Sequence, residues 1–212
     1  MKLVVFDLDG TLIDGYDAIG DALGYAMTRL GLPAPDAGRV RAMVGHGLER
    51  LVEKAAGPER AAEGVRLFRE RYPEVAVEKS RLLPGVLDVL RTLRDRGLTL
   101  AVASNKPAPF SRMILDAKDA AGFFQAIEGP GTGMPAKPDP AMLVSAMRRA
   151  GAGASATLAV GDMEVDAEFA RAAGCRVVLV PSGSRSRAEL VAVPADALLD
   201  DLRQLPAWIA AS

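Results

Sequence analysis

Asp7 and Asp9 stand two residues apart in Asp7-Leu8-Asp9-Gly10-Thr11, directly after the apolar run Leu3-Val4-Val5-Phe6. In extended chain, residues i and i+2 point to the same side, so both carboxylates would face one ligand while Leu8 packs behind them. Gly10 permits the sharp exit that follows. A carboxylate can act as a nucleophile and split phosphoester hydrolysis into two easier steps, while a second carboxyl beside it carries protons. Taken alone, the segment equally fits a tight turn, where Asp and Gly are favoured.

The other polar sets decide between these readings. Ser104-Asn105-Lys106 follow an apolar run at 98–103, Lys137 lies in Ala136-Lys137-Pro138-Asp139-Pro140, and Gly161-Asp162-Met163-Glu164-Val165-Asp166 follow the run at 157–160. Turn preference does not require a lysine before Pro138. The Asp7 and Asp162 carboxylates supply hard oxygen ligands of the kind Mg²⁺ prefers. Thr11, Ser104, Asn105 and Lys137 would hold a phosphate. Phosphoryl transfer depends mainly on positioning and on neutralising the transferred oxygens, which the ion and Lys137 could do together. Ser104 and Asn105 could also cap a helix beginning near Pro107, which is compatible with that role. Lys106 fits a solvated surface lysine at least as well as a ligand.

The elements that must position these residues are apolar, β-branched runs at 3–6, 98–103, 157–160 and 176–180, each reading as a strand buried on both faces. Between them, Pro84 can open a helix whose stripe is Val86, Leu87, Leu90 and Leu93 and which Gly97 can close. Helices at 140–150 and 164–173 end at Gly151 and Gly174. This alternation predicts an α/β fold, a doubly wound parallel-sheet core of Rossmann-like type. Ligands bind such sheets at the carboxyl ends of the strands, where the polar sets fall. The stretch 16–80 contains amphipathic helix patterns without a buried strand between them, and predicts an inserted all-helical cap. Its first helix carries Ile19, Leu23, Ala26, Met27 and Leu30 on one face; later ones run near 48–56 and 58–72. The expected division is a core of 1–14 plus 81–212 and a cap of 15–80.

With 212 residues, half of them hydrophobic, and a net charge of −1, the chain can bury a full core and has no strong field to collect nucleic acid. No apolar run reaches the roughly 20 residues of a membrane span. The start of the chain lacks a secretory pattern, which predicts a cytoplasmic protein. Cys175, the single cysteine, reads as a packing residue. The Arg-rich segments 66–71 and 185–187 read as solvated faces. His46, the single histidine, sits between two glycines and is expected to line a pocket or face solvent rather than move protons. No oligomeric state is implied.

The ordered set Asp-x-Asp-Gly-Thr, Ser-Asn-Lys, Lys-Pro-Asp-Pro and Gly-Asp-x-x-x-Asp resembles the haloacid dehalogenase-like hydrolase superfamily over the whole chain. The resemblance implies that Asp7 is the nucleophile and that Asp9 is the general acid/base and a Mg²⁺ ligand through its backbone carbonyl. It further implies that Ser104 and Lys137 bind phosphate, Asp162 binds Mg²⁺, Asp166 supports the ion or Lys137, and the insertion is a mobile cap that selects substrates. Within the family the chain is similar to phosphoglycolate phosphatases, through Val44-Gly45-His46-Gly47, Leu83-Pro84-Gly85-Val86 and Ser104-Asn105-Lys106-Pro107. Amides around Gly45, His46 and Gly47, at a helix start, could receive a small carboxylate. Met163 departs from the Ser or Thr that relatives often carry after the metal-binding aspartate. The expected activity is Mg²⁺-dependent hydrolysis of a small phosphorylated metabolite through an aspartyl phosphate. The alternatives are a phosphosugar mutase or pyrophosphatase of the same superfamily, a dehalogenase, which the Gly-Thr after Asp9 fits less well, and a catalytically silent phosphate-binding regulatory module.

Overall fold

A computed structural model describes residues 1–131 and 133–212. The chain runs through β1 (Leu3–Phe6), β2 (Ile13–Asp14), α1 (Tyr16–Arg29), α2 (Ala37–Met43), α3 (Leu48–Ala56), α4 (Ala61–Val75) and β3 (Arg81–Leu82). It continues through α5 (Val86–Asp95), β4 (Thr99–Ala103), α6 (Ala108–Ala117), β5 (Ala126–Glu128), α7 (Ala141–Ala150) and β6 (Thr157–Gly161). The last elements are α8 (Glu164–Ala172), β7 (Arg176–Leu179), α9 (Arg187–Leu190), β8 (Ala197–Leu198) and α10 (Leu205–Ala211).

Six of these strands form a parallel sheet in the order β5-β4-β1-β6-β7-β8. Side chains alternate between its two faces. Val4 and Phe6 join Val102, Val160 and Val178 under α5, α6 and α10, whereas Leu3 and Val5 join Ala103, Ala159 and Leu179 under α7, α8 and α9. The four β1 side chains are at most 2% exposed, each stabilising the fold by roughly 1.5–3 kcal/mol relative to exposure. The strand order reverses at β1, with β4 and β5 on one side and β6, β7 and β8 on the other. The carboxyl ends of β1, β4 and β6 therefore surround a topological switch point.

The helical insertion is α1 to α4, and its buried residues Leu23, Met27, Val52 and Phe68 form one apolar cluster with the α5 side of the sheet. The two-residue strands β2 and β3 pair antiparallel where the chain leaves and re-enters the sheet domain, Ile13 opposite Leu82. The expected helix at 58–72 is a 3-10 turn at Pro58–Arg60 followed by α4, which runs past Pro73. Burial of Tyr72, Val75 and Ala76 and the bond from Ala76 N–H to Tyr72 O carry the helix beyond the proline. Pro84 does not open α5: Gly85, at φ 76°, is its N-cap. Cys175 is buried, and burial pushes its thiol up to about 11. Among the described residues no helix is long and apolar enough to cross a membrane.

Candidate active site

Asp7 is the first residue beyond β1, and its N–H donates to Val160 O at 2.8 Å, so the backbone that carries it is tied to β6. Lys137 Nζ lies 2.9 Å from Asp7 Oδ1 and 2.8 Å from Asp166 Oδ1. Asp166, in the first turn of α8, uses its other oxygen to accept the N–H groups of Asp162 and Met163, each at 3.1 Å. A Cβ on Gly161 would lie 2.2 Å from Asp166 Cγ, so only glycine leaves room for that bracket. Burial, against the pull of Lys137 and with the help of Asp166 and Asp9, holds Asp7 up at about 6. Burial disfavours the Lys137 ammonium, but Asp166 and Asp7 outweigh it and hold the group above its ordinary value.

Lys106 is not a surface lysine. It is 8% exposed, and its Nζ sits 3.0 Å from the Asp9 carboxylate and donates to the hydroxyl of Tyr72 on α4. Despite burial, Asp9 and then Tyr72 raise its pKa. A Cβ on Gly15 would lie 2.3 Å from Asp9 Oδ1, so the chain leaving the sheet also packs directly on this carboxylate.

Asp162 follows β6 and is buried with its Oδ2 accepting Ser184 N–H at 3.1 Å and its Oδ1 3.5 Å from Thr11 Oγ1. Cβ atoms on Gly10 and Gly183 would lie 2.6 and 1.8 Å from Asp162 Oδ2. Burial, with Asp166 and Asp7, drives its pKa well above the ordinary carboxylate value. Thr11 is fully buried beside Asp162 and is not among the residues lining the cavity described below. Tyr16 adds a buried hydroxyl with no hydrogen-bond partner among the described residues. Burial raises its pKa, and the Asp162, Asp9 and Asp7 carboxylates push in the same direction. Among the described residues no three His, Cys, Asp or Glu side chains form a ligand group. Mg²⁺ does not need one, because it binds through one or two carboxylates while keeping waters and substrate oxygens. Two mutually repelling carboxylates, Asp7 and Asp162, lining one cavity fit a hard, hydrated cation.

Asn105 joins the parts. Its Oδ1 accepts Lys137 N–H at 2.6 Å, and its Nδ2 donates to Lys137 O at 3.4 Å and to Gly45 O at 2.8 Å. It does not cap α6, whose N-cap is Pro107 without a side-chain bond; Ser104 Oγ instead accepts Lys106 N–H at 3.3 Å. One cavity is lined by Asp7, Asp9, Ser104, Asn105, Lys106, Lys137, Asp162 and Asp166 on the sheet side, and by apolar Ile19, Val44, Leu48, Leu51 and Phe68 from the insertion. Gly45 and Gly47 line it, Gly47 as the N-cap of α3 without a side-chain bond, whereas His46 is exposed and is not among its lining residues. Met163 lines it too and packs against Gly45. Of the Arg-rich segments, Arg66 and Arg187 are exposed, but Arg185 is only 19% exposed and makes a two-pronged pair with Glu164 at 2.7 and 2.9 Å. Tyr16, Tyr72 and Ser184 escaped the sequence reading, since nothing in their local pattern sets them apart.

Residues 4–180 match the family model described as haloacid dehalogenase-like hydrolase. A phosphoglycolate phosphatase of Pseudomonas putida is 37% identical, over 96% of this chain and 78% of that protein. One from Escherichia coli is 36% identical over 81% of this chain and 78% of its own length. A crystal structure of a predicted phosphoglycolate phosphatase from Haemophilus somnus superposes with a TM-score of 0.90 at 28% identity, covering 99% of this chain and 98% of that one.

Proposed function

The chain belongs to the haloacid dehalogenase-like hydrolases and is a phosphatase, and we propose that it hydrolyses a small phosphomonoester through an aspartyl phosphate on Asp7, with 2-phosphoglycolate as its substrate. The observation that carries this reading is the Lys137 ammonium held between Asp7 and Asp166 beside the carboxyl end of β1.

In this reading Lys137 and the Ser104 hydroxyl hold the phosphoryl oxygens while an Asp7 carboxylate oxygen attacks phosphorus. The P–O bond to the alcohol breaks as the new Asp7–phosphorus bond forms, and Asp9 gives its proton to the departing oxygen. Asp9, now a carboxylate, takes a proton from water as that water attacks the phosphorus of the acyl phosphate. Phosphate leaves and Asp7 is restored. Mg²⁺, held by the carboxylates of Asp7 and Asp162 and the backbone carbonyl of Asp9, would neutralise charge on the transferred oxygens. Asp166 keeps Lys137 in place, and Thr11, behind the site, steadies Asp162 rather than touching phosphate.

Residues 15–80 serve as the cap, and 1–14 with 81–212 as the catalytic core. The β2–β3 ladder at the root of the insertion supports this division. Closing an apolar cap over the carboxylates keeps bulk water from the phosphoryl group. The uncapped start of α3 at Gly47, facing the cavity, favours a small carboxylate near it, and relatives named phosphoglycolate phosphatases at 35–37% identity support the substrate.

The test is phosphate release from a panel of phosphomonoesters in Mg²⁺. Preference for 2-phosphoglycolate is expected. Turnover of other esters without it would sink the substrate, and sugar-phosphate isomerisation without net release would favour a mutase.

A further inference from the structure

We infer that Lys106 binds the charged end of the leaving group, so that this phosphatase selects phosphomonoesters whose alcohol carries a carboxylate. This rests on the phosphoglycolate reading above and names the residue that would enforce it. Lys106 and Lys137 are the two cationic side chains among the described residues that line the cavity. Lys137 is engaged by Asp7 and Asp166. Lys106 contacts a different group, Asp9 and the cap residue Tyr72.

Two arguments place Lys106 beside the leaving group. Asp9 must come within hydrogen-bond reach of the departing oxygen to protonate it, and Lys106 Nζ is 3.0 Å from that carboxylate. An ammonium has three donors; Lys106 Nζ faces both Asp9 oxygens, each at 3.0 Å, and the Tyr72 hydroxyl, so when Asp9 turns one oxygen to the departing group a donor of Lys106 is released for the carboxylate beside it. The cap wall offers Ile19, Val44, Leu48, Leu51 and Phe68. A carboxylate left unpaired against such a surface is strongly disfavoured, and one paired with a buried ammonium is not. The start of α3 supplies only partial charge, whereas Lys106 supplies a full one.

A lysine that did no more than orient Asp9 would matter equally for every ester. Ethyl phosphate, which replaces the carboxylate of phosphoglycolate by a methyl group, separates the two roles. In the unaltered protein kcat/KM should favour phosphoglycolate. Lys106→Met should lower the ratio of the two kcat/KM values by about tenfold or more, the size of a lost charge-assisted hydrogen bond, and Lys106→Arg should keep more of the ratio than Lys106→Met. Equal fractional losses for both esters overturn the inference and leave the phosphoglycolate reading standing. No preference in the unaltered protein overturns that reading instead. Should Lys106→Met fail to fold, competition in the unaltered protein decides: glycolate should compete with substrate where ethanol at the same concentration does not, and equal indifference to both overturns the proposal.

Discussion

Gly45 of the cap meets Met163 of the core so closely that a Cβ on Gly45 would lie 2.4 Å from both Sδ and Cε of Met163. Met163, the residue after Asp162, uses the glycine as its seat. Gly45 also has φ 123°, a conformation that side chains rarely adopt. Gly45→Ala should therefore cost about 1–2 kcal/mol from the backbone alone, a loss of several degrees in Tm for a chain of this size. It should also raise KM by forcing the cap off the core. Adding Met163→Ala should recover the KM and not the backbone strain. Thermal unfolding and steady-state kinetics of both variants check this; an unchanged KM in Gly45→Ala would mean that the contact does not set the cap.

Asp7→Asn keeps the shape of the nucleophile and removes its charge. Turnover should fall by roughly four orders of magnitude or more, as when other enzymes lose a nucleophile. Stability should hold or rise, because burial raises the Asp7 pKa against the pull of Lys137, so that the charged form is already disfavoured there. Phosphate release together with Tm measures both, and a variant with a tenth of the activity would exclude Asp7 as the nucleophile.

What the sequence made legible follows burial. β1, β4, β6 and β7 are runs of apolar residues between helices, so their order and the residues that follow them could be read directly. β5, with three residues, and β8, with two half-buried ones, carry too short a pattern. The β2–β3 ladder pairs only two residues on each side and was equally invisible. The carboxylates and Lys137 were legible because strand ends and motif order mark them. Lys106 was not, because its state depends on Tyr72, 34 residues away on a different element. Asn105 looked like a helix cap for the same reason: its partner Gly45 lies 60 residues earlier.

Asp7 and Asp162 give stability an unusual pH dependence. Burial holds the Asp7 carboxyl up at about 6 in the folded chain, against its ordinary 3.8, and raises Asp162 as well. A carboxyl whose folded pKa is raised contributes stability that is fully present below the unfolded value and is lost as pH rises through the folded one. In EDTA, Tm should therefore fall between about pH 4 and about pH 6 through Asp7, with Asp162 adding to the loss above about pH 4. Asp21 and Asp201, held low by Arg71 and Lys79 and by Arg203, act in the opposite sense but only in more acid solution. Mg²⁺ binds the carboxylate forms, so the Tm gained on adding it should grow with pH over the same window. A Mg²⁺ effect of constant size would place the ion away from these two residues.

Asn105→Ala tests how the cap and the phosphate site are joined. The side chain satisfies Lys137 N–H at 2.6 Å and Lys137 O at 3.4 Å on one side, and Gly45 O at 2.8 Å on the other. Its removal leaves a buried N–H and two carbonyls short of partners, at about 1–3 kcal/mol for each group that water cannot reach. Lys137 then loses the backbone anchor that aims its ammonium at Asp7, so kcat should fall along with Tm. Asn105→Asp keeps the acceptor for Lys137 N–H and loses the donors to Gly45 O and Lys137 O. It should retain more of kcat than the alanine variant while sharing its rise in KM, because the cap contact is gone in both. A rise in KM with kcat intact in both variants would show that Asn105 serves the cap alone and that Lys137 is placed by Asp7 and Asp166 without it.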